Sequence, residues 1–247
     1  TGLRTVFQFN VRNPAAKHYL FERSSTKVTQ IIADQRDMIR TFLAAGMEAG
    51  NNPRTMALDL VGRVNPATGR REGGHIGLTS SQEAWVRNYR DELTNLDAGA
   101  LTRALRDQRF DSTIRAAIAA GEPIPDGTIS AAVTNYKNRA LRYRAETIAR
   151  TEAMTSLHEA QSQAVDQAIA DGIDRGDIRY TWHATHDDRT RDSHAAMDLE
   201  TVGEGELFVT GAGNLLEYPG DPNGPPEEVI NCRCWREMRV DFLANVE

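Results

Sequence analysis

The sequence predicts a mainly α protein, in which a helical N-terminal region is joined by one long helix to a small α+β C-terminal module. Three observations predict it. Apolar residues recur at helical spacing through the first two thirds of the chain. The longest uninterrupted helical pattern runs from about Ile129 to Ala170. After Gly172 the pattern changes to short alternating runs separated by Gly, Pro and Asn. The expected divisions are a helical region over 1–128, a connecting helix over 129–172 and the α+β module over 173–247.

Taken in order, the first helix is expected from about Thr26 to Ala49, with Val28, Ile31, Ile32, Ile39, Phe42 and Leu43 on its apolar stripe. "GNNPRT" then breaks it. Gly50 suits a C-terminal cap, Asn52 an N-cap, and Pro53 the first position of a helix running to about Val64 through Met56 and Leu60. "NPATGRREGGHIGLTSSQ" reads as a loop, and its "GGHIG" as a turn rather than a phosphate cradle, since no strand precedes it and no Gly-Lys-Ser/Thr follows. Thr79 and Gln82 have the spacing of a capping box for a helix over about Ser80 to Leu96, which presents Trp85, Val86, Tyr89 and Leu93. Shorter helices are expected over about Ala98–Gln108 and Asp111–Ala120, with "GEPIPDGT" as the breaker before the long helix. Beyond Gly172, "IRYTWHAT" alternates as a half-buried strand, and "EVINCRCWREMRV" alternates as a second one.

With 247 residues, 40% hydrophobic and 26% charged, the chain has the composition of a folded protein with one large core or two small ones. No apolar run approaches the ~20 residues of a membrane-spanning helix, and no signal-peptide pattern opens the chain, so no membrane partner is expected. Charge is split unevenly. Residues 1–150 hold 22 Lys and Arg against 15 Asp and Glu, while residues 151–247 hold 7 against 20. The basic part suits DNA or an acidic protein surface, and the acidic part should repel nucleic acid; simple solvated faces are the competing reading. Lys137, Arg139, Arg142, Arg144 and Arg150 do not share one face of the long helix, so no nucleic-acid groove is implied.

The two cysteines, Cys232 and Cys234, lie two residues apart in "INCRCW". A disulfide between them would close a small, strained ring, so reduced thiols are expected. On a strand, both sulfurs would project to one side, about 7 Å apart along the chain. They could then share a metal with side chains from "WHATHDDRTRDSH", which offers His183, His186, Asp187, Asp188, Asp192 and His194. Zinc is the default for mixed sulfur and nitrogen ligands. Equally, both cysteines could be small core residues. Arg189 and Arg191 beside Asp187, Asp188 and Asp192 could form a charge-assisted network that needs no metal.

From about Arg144 to Arg236 the chain resembles the C-terminal domain of the phage Mu protein F-like minor head proteins, the head morphogenesis proteins of tailed phages. The resemblance is carried by "RAETIARTEA" (Arg144 to Ala153), by W-x-x-T-x-D-D-R-T-R-x-x-H from Trp182 to His194, by P-x-D-P at Pro219 to Pro222, and by I-N-C-R-C at Ile230 to Cys234. It implies a non-enzymatic structural protein of the virion head, assembled in the host bacterial cytoplasm. Several copies would sit near the portal vertex, with the helical region over 1–128 docking on portal or capsid. Partners implied are the portal protein, a major capsid or scaffold protein, and packaged DNA during retention or ejection. Many members carry two cysteines where this chain has Arg191 and His194, and a histidine where it has Val229. The ligand set carried over is therefore His194, Cys232 and Cys234, with Asp187 or His186 as the fourth, and Arg189, Arg191, Asp188 and Trp182 as a structural network. A metal-dependent hydrolase or nuclease using the His/Asp/Cys cluster is the alternative, and it lacks any H-E-x-x-H motif or paired-carboxylate core.

Overall fold

The computed structural model describes residues 33–69 and 71–241. Residues 57–146 form one compact unit; residues 147–241, with the described residues up to 56, form another. The fold is mainly α, with small sheets in both units.

Helix α1 (Ala33–Glu48) ends where expected, with Gly50 at positive φ and its N–H on the Met47 carbonyl. The predicted start at Thr26, with Val28, Ile31 and Ile32, lies outside the described residues. Asn52 then accepts from the Thr55 N–H at 3.0 Å, and α2 (Pro53–Val61) begins at the predicted proline.

In the unit 57–146 the expected helix to Val64 stops at Val61. Gly62 takes a φ of 77°, which an L side chain resists, and the chain turns into a short hairpin, β1 (Arg63–Val64) with β2 (Arg71–Glu72). Val64 is therefore exposed on a strand instead of lying on the helical stripe with buried Met56 and Leu60. The hairpin sits inside what reads as a loop. Its far end is fixed by the His75 and Ile76 N–H groups, which both donate to the Leu60 carbonyl.

Helix α3 (Ser80–Thr94) carries the predicted capping box, with Thr79 and Gln82 each satisfying the other's backbone N–H. The helix expected over 98–108 is absent. Asp97 and Asp107 instead cap 3-10 turns at Ala98–Thr102 and Gln108–Phe110, their carboxylates accepting N–H groups two residues on. Helix α4 (Asp111–Ala120) follows as predicted. Tyr89, Leu93, Ala100, Ile114, Ile129 and Tyr136 close the core of this unit.

Helix α5 (Asp126–Ala170) is the long helix of the prediction, starting three residues earlier than Ile129. Gly172 ends it at φ 107°: its N–H reaches the Ile169 carbonyl and the next N–H reaches Ala168, which satisfies two orphan carbonyls. Its basic residues are largely spent on the fold. Arg139 pairs with buried Asp107 at 3.2 Å, Arg142 lies 3.7 Å from Glu146, and Arg144 donates to the Gly77 carbonyl.

In the other unit, β3 (Ile178–His183) is the predicted alternating strand, with Ile178, Tyr180 and Trp182 buried. It is central in an antiparallel sheet of order β4–β3–β7, where β4 is Thr201–Gly203 and β7 is Trp235–Val240. A short helix, α6 (Asp192–Ala195), follows β3, and β5 (Phe208–Val209) pairs with β6 (Leu215–Leu216). The second strand is shorter than expected. Pro226 starts a helical turn, α7 (Pro226–Val229), and Asn231 adopts a left-handed φ of 62°, so "INCRC" is a turn and β7 begins only at Trp235.

Among the glycines, Gly62 and Gly74 are both forced by the backbone packed against them, and Gly74 is the one that meets α2. At φ 89°, a Cβ there would overlap the Val61 carbonyl group and the Gly62 nitrogen, whereas Gly69, at φ 64°, faces open space. Gly74→Ala should therefore destabilise the unit by about 2–3 kcal/mol, and Gly69→Ala by about 1 kcal/mol, as read from urea unfolding midpoints.

Candidate functional site

The site begins with a turn rather than a strand. Pro225 sets the extended entry to α7, and the Cys232 N–H closes back on the Val229 carbonyl, 3.2 Å away. Because the chain curls here, the two thiols face one imidazole. His194 Nδ1 lies 3.5 Å from the Sγ of Cys232 and 3.5 Å from the Sγ of Cys234. All three residues are buried. Their ligand atoms lie within 4.8 Å of one another, the grouping of metal-ligand type found among the described residues.

His194 is delivered by α6, whose first turn is held by the Arg191 and Asp192 carbonyls. Its ring meets Trp182 edge-on at 5.2 Å, and Trp182 in turn packs against Phe208 at 5.3 Å. Trp182 thus fixes the imidazole from the core side, as a packing residue of the central strand. The other nitrogen, Nε2, stands 3.1 Å from Glu228 Oε2, on a line that is poor for a hydrogen bond. Glu228 itself is buried, and accepts from Ser193 Oγ at 2.8 Å and from Thr210 Oγ1 and Asn214 Nδ2 at 3.1 Å. Burial alone would raise its pKa; those three hydrogen bonds outweigh burial and lower it, so the group stays a carboxylate. Glu228 was missed in the sequence. The available signal was an acidic residue four before Cys232, legible only once the helical turn is known.

The thiols titrate as a pair. Hydrogen bonding to Cys234 and burial push Cys232 up, while the bond from Cys232, reinforced by His194, pulls Cys234 down.

These residues fit a zinc ion. Zinc bonds of about 2.3 Å to sulfur and 2.0 Å to nitrogen, at a tetrahedral angle, separate S from N by about 3.5 Å. A single nitrogen has one proton or one lone pair to offer, yet both sulfurs stand equally close to it. A carboxylate on the far ring nitrogen is the usual outer partner of a metal-bound histidine.

The remaining predicted residues are placed elsewhere. Asp187 is not with the thiols: both its oxygens accept from the Arg233 guanidinium, and Arg189 lies 3.7 Å away, so its pKa falls well below the usual carboxylate range. Arg191 donates to the Ile230 carbonyl, tying α6 to the cysteine turn, and Asp188 is exposed. His186 is exposed and pairs with Asp198 at 3.2 Å. His183 stacks on Trp235 with ring centroids 4.0 Å apart and reaches Glu237.

The four stretches quoted from the sequence converge. Arg150 donates to Asn231 Oδ1 at 2.6 Å, the Asn231 N–H donates to Thr151 Oγ1, and Thr155 Oγ1 donates to the Gly220 carbonyl at 2.7 Å. Helix α5 thereby holds both the P-x-D-P loop and the cysteine turn, while Asp187 and Arg191 hold the same turn from the other side.

The Asp187–Arg233 pair carries a pH signature. A folded carboxyl that titrates below the roughly 3.9 of an unfolded Asp adds stability above that pH and loses it on further acidification. Asp187→Asn should lower the melting temperature at neutral pH, and the gap to the parent should shrink in acid, as followed by circular dichroism.

The family model described as Phage Mu protein F like protein matches residues 37–236. No curated protein and no solved structure matches the chain. The matched span includes α5, the aspartate–arginine segment, the P-x-D-P loop and the cysteine turn, the same parts that meet around Asn231 and His194. The chain belongs to the phage Mu protein F-like family.

Proposed function

We propose that the chain is a structural minor head protein of a tailed bacteriophage, present in several copies at the portal vertex. It docks on the portal protein and on the major capsid or scaffold protein, and acts in head assembly and in the retention or ejection of packaged DNA. The observation that carries this reading is the family match over 37–236, which takes in residues of both compact units. The use made of the motif residues supports it: Arg150, Thr151, Thr155, Arg191 and Arg233 are each engaged in holding chain segments together.

The hydrolase reading is less well supported. His183, His186 and His194 go to three different partners, Glu237, Asp198 and Glu228, so they do not form one site. Virion localisation accords with the family, and among the described residues no helix is long and apolar enough to cross a membrane.

The second part of the proposal is that His194, Cys232 and Cys234 hold zinc as a structural staple of the C-terminal unit. Bound zinc would supply folding energy and a fixed thiolate pair.

Two outcomes check the proposal. The chain should be found in purified virions and should co-purify with a portal ring, without metal-dependent nuclease activity. Absence from both, or cleavage abolished by chelator, would reverse the assignment. Cys232→Ser with Cys234→Ser should abolish zinc binding and unfold the C-terminal unit. If the thiols are only core residues, the loss is about 1–3 kcal/mol and the metal content does not change.

A further inference from the structure

Resting on that zinc reading, we infer that the site keeps one coordination position free of protein ligands, and that a small exogenous anion of halide size fills it beside Arg191. Three features of the chain carry this.

The first is the shortage of ligands. His194, Cys232 and Cys234 supply three donor atoms, and among the described residues no fourth His, Cys, Asp or Glu joins that group. Asp187 is held by Arg233, His186 lies against Asp198, and Glu228 stands on the far nitrogen of His194 while accepting from Ser193, Thr210 and Asn214. Each would have to abandon its partner to reach the sulfurs. Tetrahedral zinc with three protein ligands takes its fourth from solution.

The second is space. A small cavity adjoins the three donors, walled by Arg191, Arg233, Thr185 and Thr190 among others. Arg189 on its wall is exposed, so the cavity communicates with solution and a small ion can reach the donors.

The third is charge. Two thiolates neutralise a divalent ion, which leaves the buried carboxylate of Glu228, against the far nitrogen of His194, as the charge behind the cluster. Arg191 donates to a backbone carbonyl and has no carboxylate at ion-pair distance among the described residues. Arg189 and Arg233 share the single carboxylate of Asp187. Arg189, Arg191 and Arg233 set against Asp187 and Glu228 leave one positive charge at the wall, which favours an anion over neutral water.

The test is zinc-edge X-ray absorption on the zinc-loaded full-length chain, in bromide buffer and in perchlorate buffer. Two sulfurs and one nitrogen are expected in both, with a bromide scatterer bound to zinc in the first. Arg191→Leu should lower bromide occupancy roughly tenfold at equal concentration, and Arg191→Lys, which keeps the charge, should retain it. Identical spectra in the two buffers, with a fourth oxygen or nitrogen, would overturn the inference while leaving the zinc staple intact. A chain that takes up no stoichiometric zinc would end the zinc reading itself. The parent protein alone decides the question if the leucine variant does not fold.

Discussion

A buried imidazole set between two thiols and a carboxylate is the contact on which the C-terminal unit depends. His194, Cys232, Cys234 and Glu228 are all nearly inaccessible to solvent. Groups of this polarity are costly to bury unless each is satisfied by another. Here the chain brings them together by closing a long loop: His194 comes from α6, the thiols from the turn after α7, and Glu228 from α7 itself. The β5–β6 hairpin joins through Thr210 and Asn214. With so little regular secondary structure between β4 and β7, this polar knot fixes the loop against an apolar core that includes Trp182, Phe208, Leu216 and Val229.

The rest of the unit is arranged so that the knot is held from two sides. Helix α5 provides Arg150, Thr151 and Thr155, which grip the backbone and the asparagine of the cysteine turn and the glycine of the P-x-D-P loop. The left-handed Asn231 is central to that arrangement: its conformation sends its N–H to Thr151 and its side chain to Arg150, and the two thiols that follow it face His194. Asp187 and Arg191 act from the opposite side through Arg233 and the Ile230 carbonyl. Sequence stretches far apart in the chain thus meet on one turn.

Much of this was legible in the sequence wherever a single residue type has one dominant local role. Gly50, Asn52 and Pro53 marked a helix end and start, Thr79 with Gln82 marked a capping box, and Gly172 marked the end of α5. The triple of His194, Cys232 and Cys234 was also named from residue chemistry and the family resemblance, and the structure brings it together. What was not legible depended on competition between local and tertiary terms. The alternation in "EVINCRCW" reads as a strand, but Pro225 and Pro226 favour a helical turn, and Asn tolerates the left-handed region that breaks the ladder. Asp97 and Asp107 compete with helix through their own side chains, which dissolved the helix expected over 98–108. Asp187, beside His186 and ahead of His194, looked like a ligand, whereas a guanidinium 46 residues later held it more strongly. Glu228, four residues before Cys232, gains its role only after the helical turn has formed and the loop has closed.

The most direct test of this account is the metal content of the full-length chain, purified without chelator and measured by elemental analysis alongside protein concentration. The account predicts one zinc per chain, retained through dialysis and lost together with the fold of the C-terminal unit when a strong chelator is added. A well-folded protein with no bound metal, whose melting is indifferent to chelator, would contradict it.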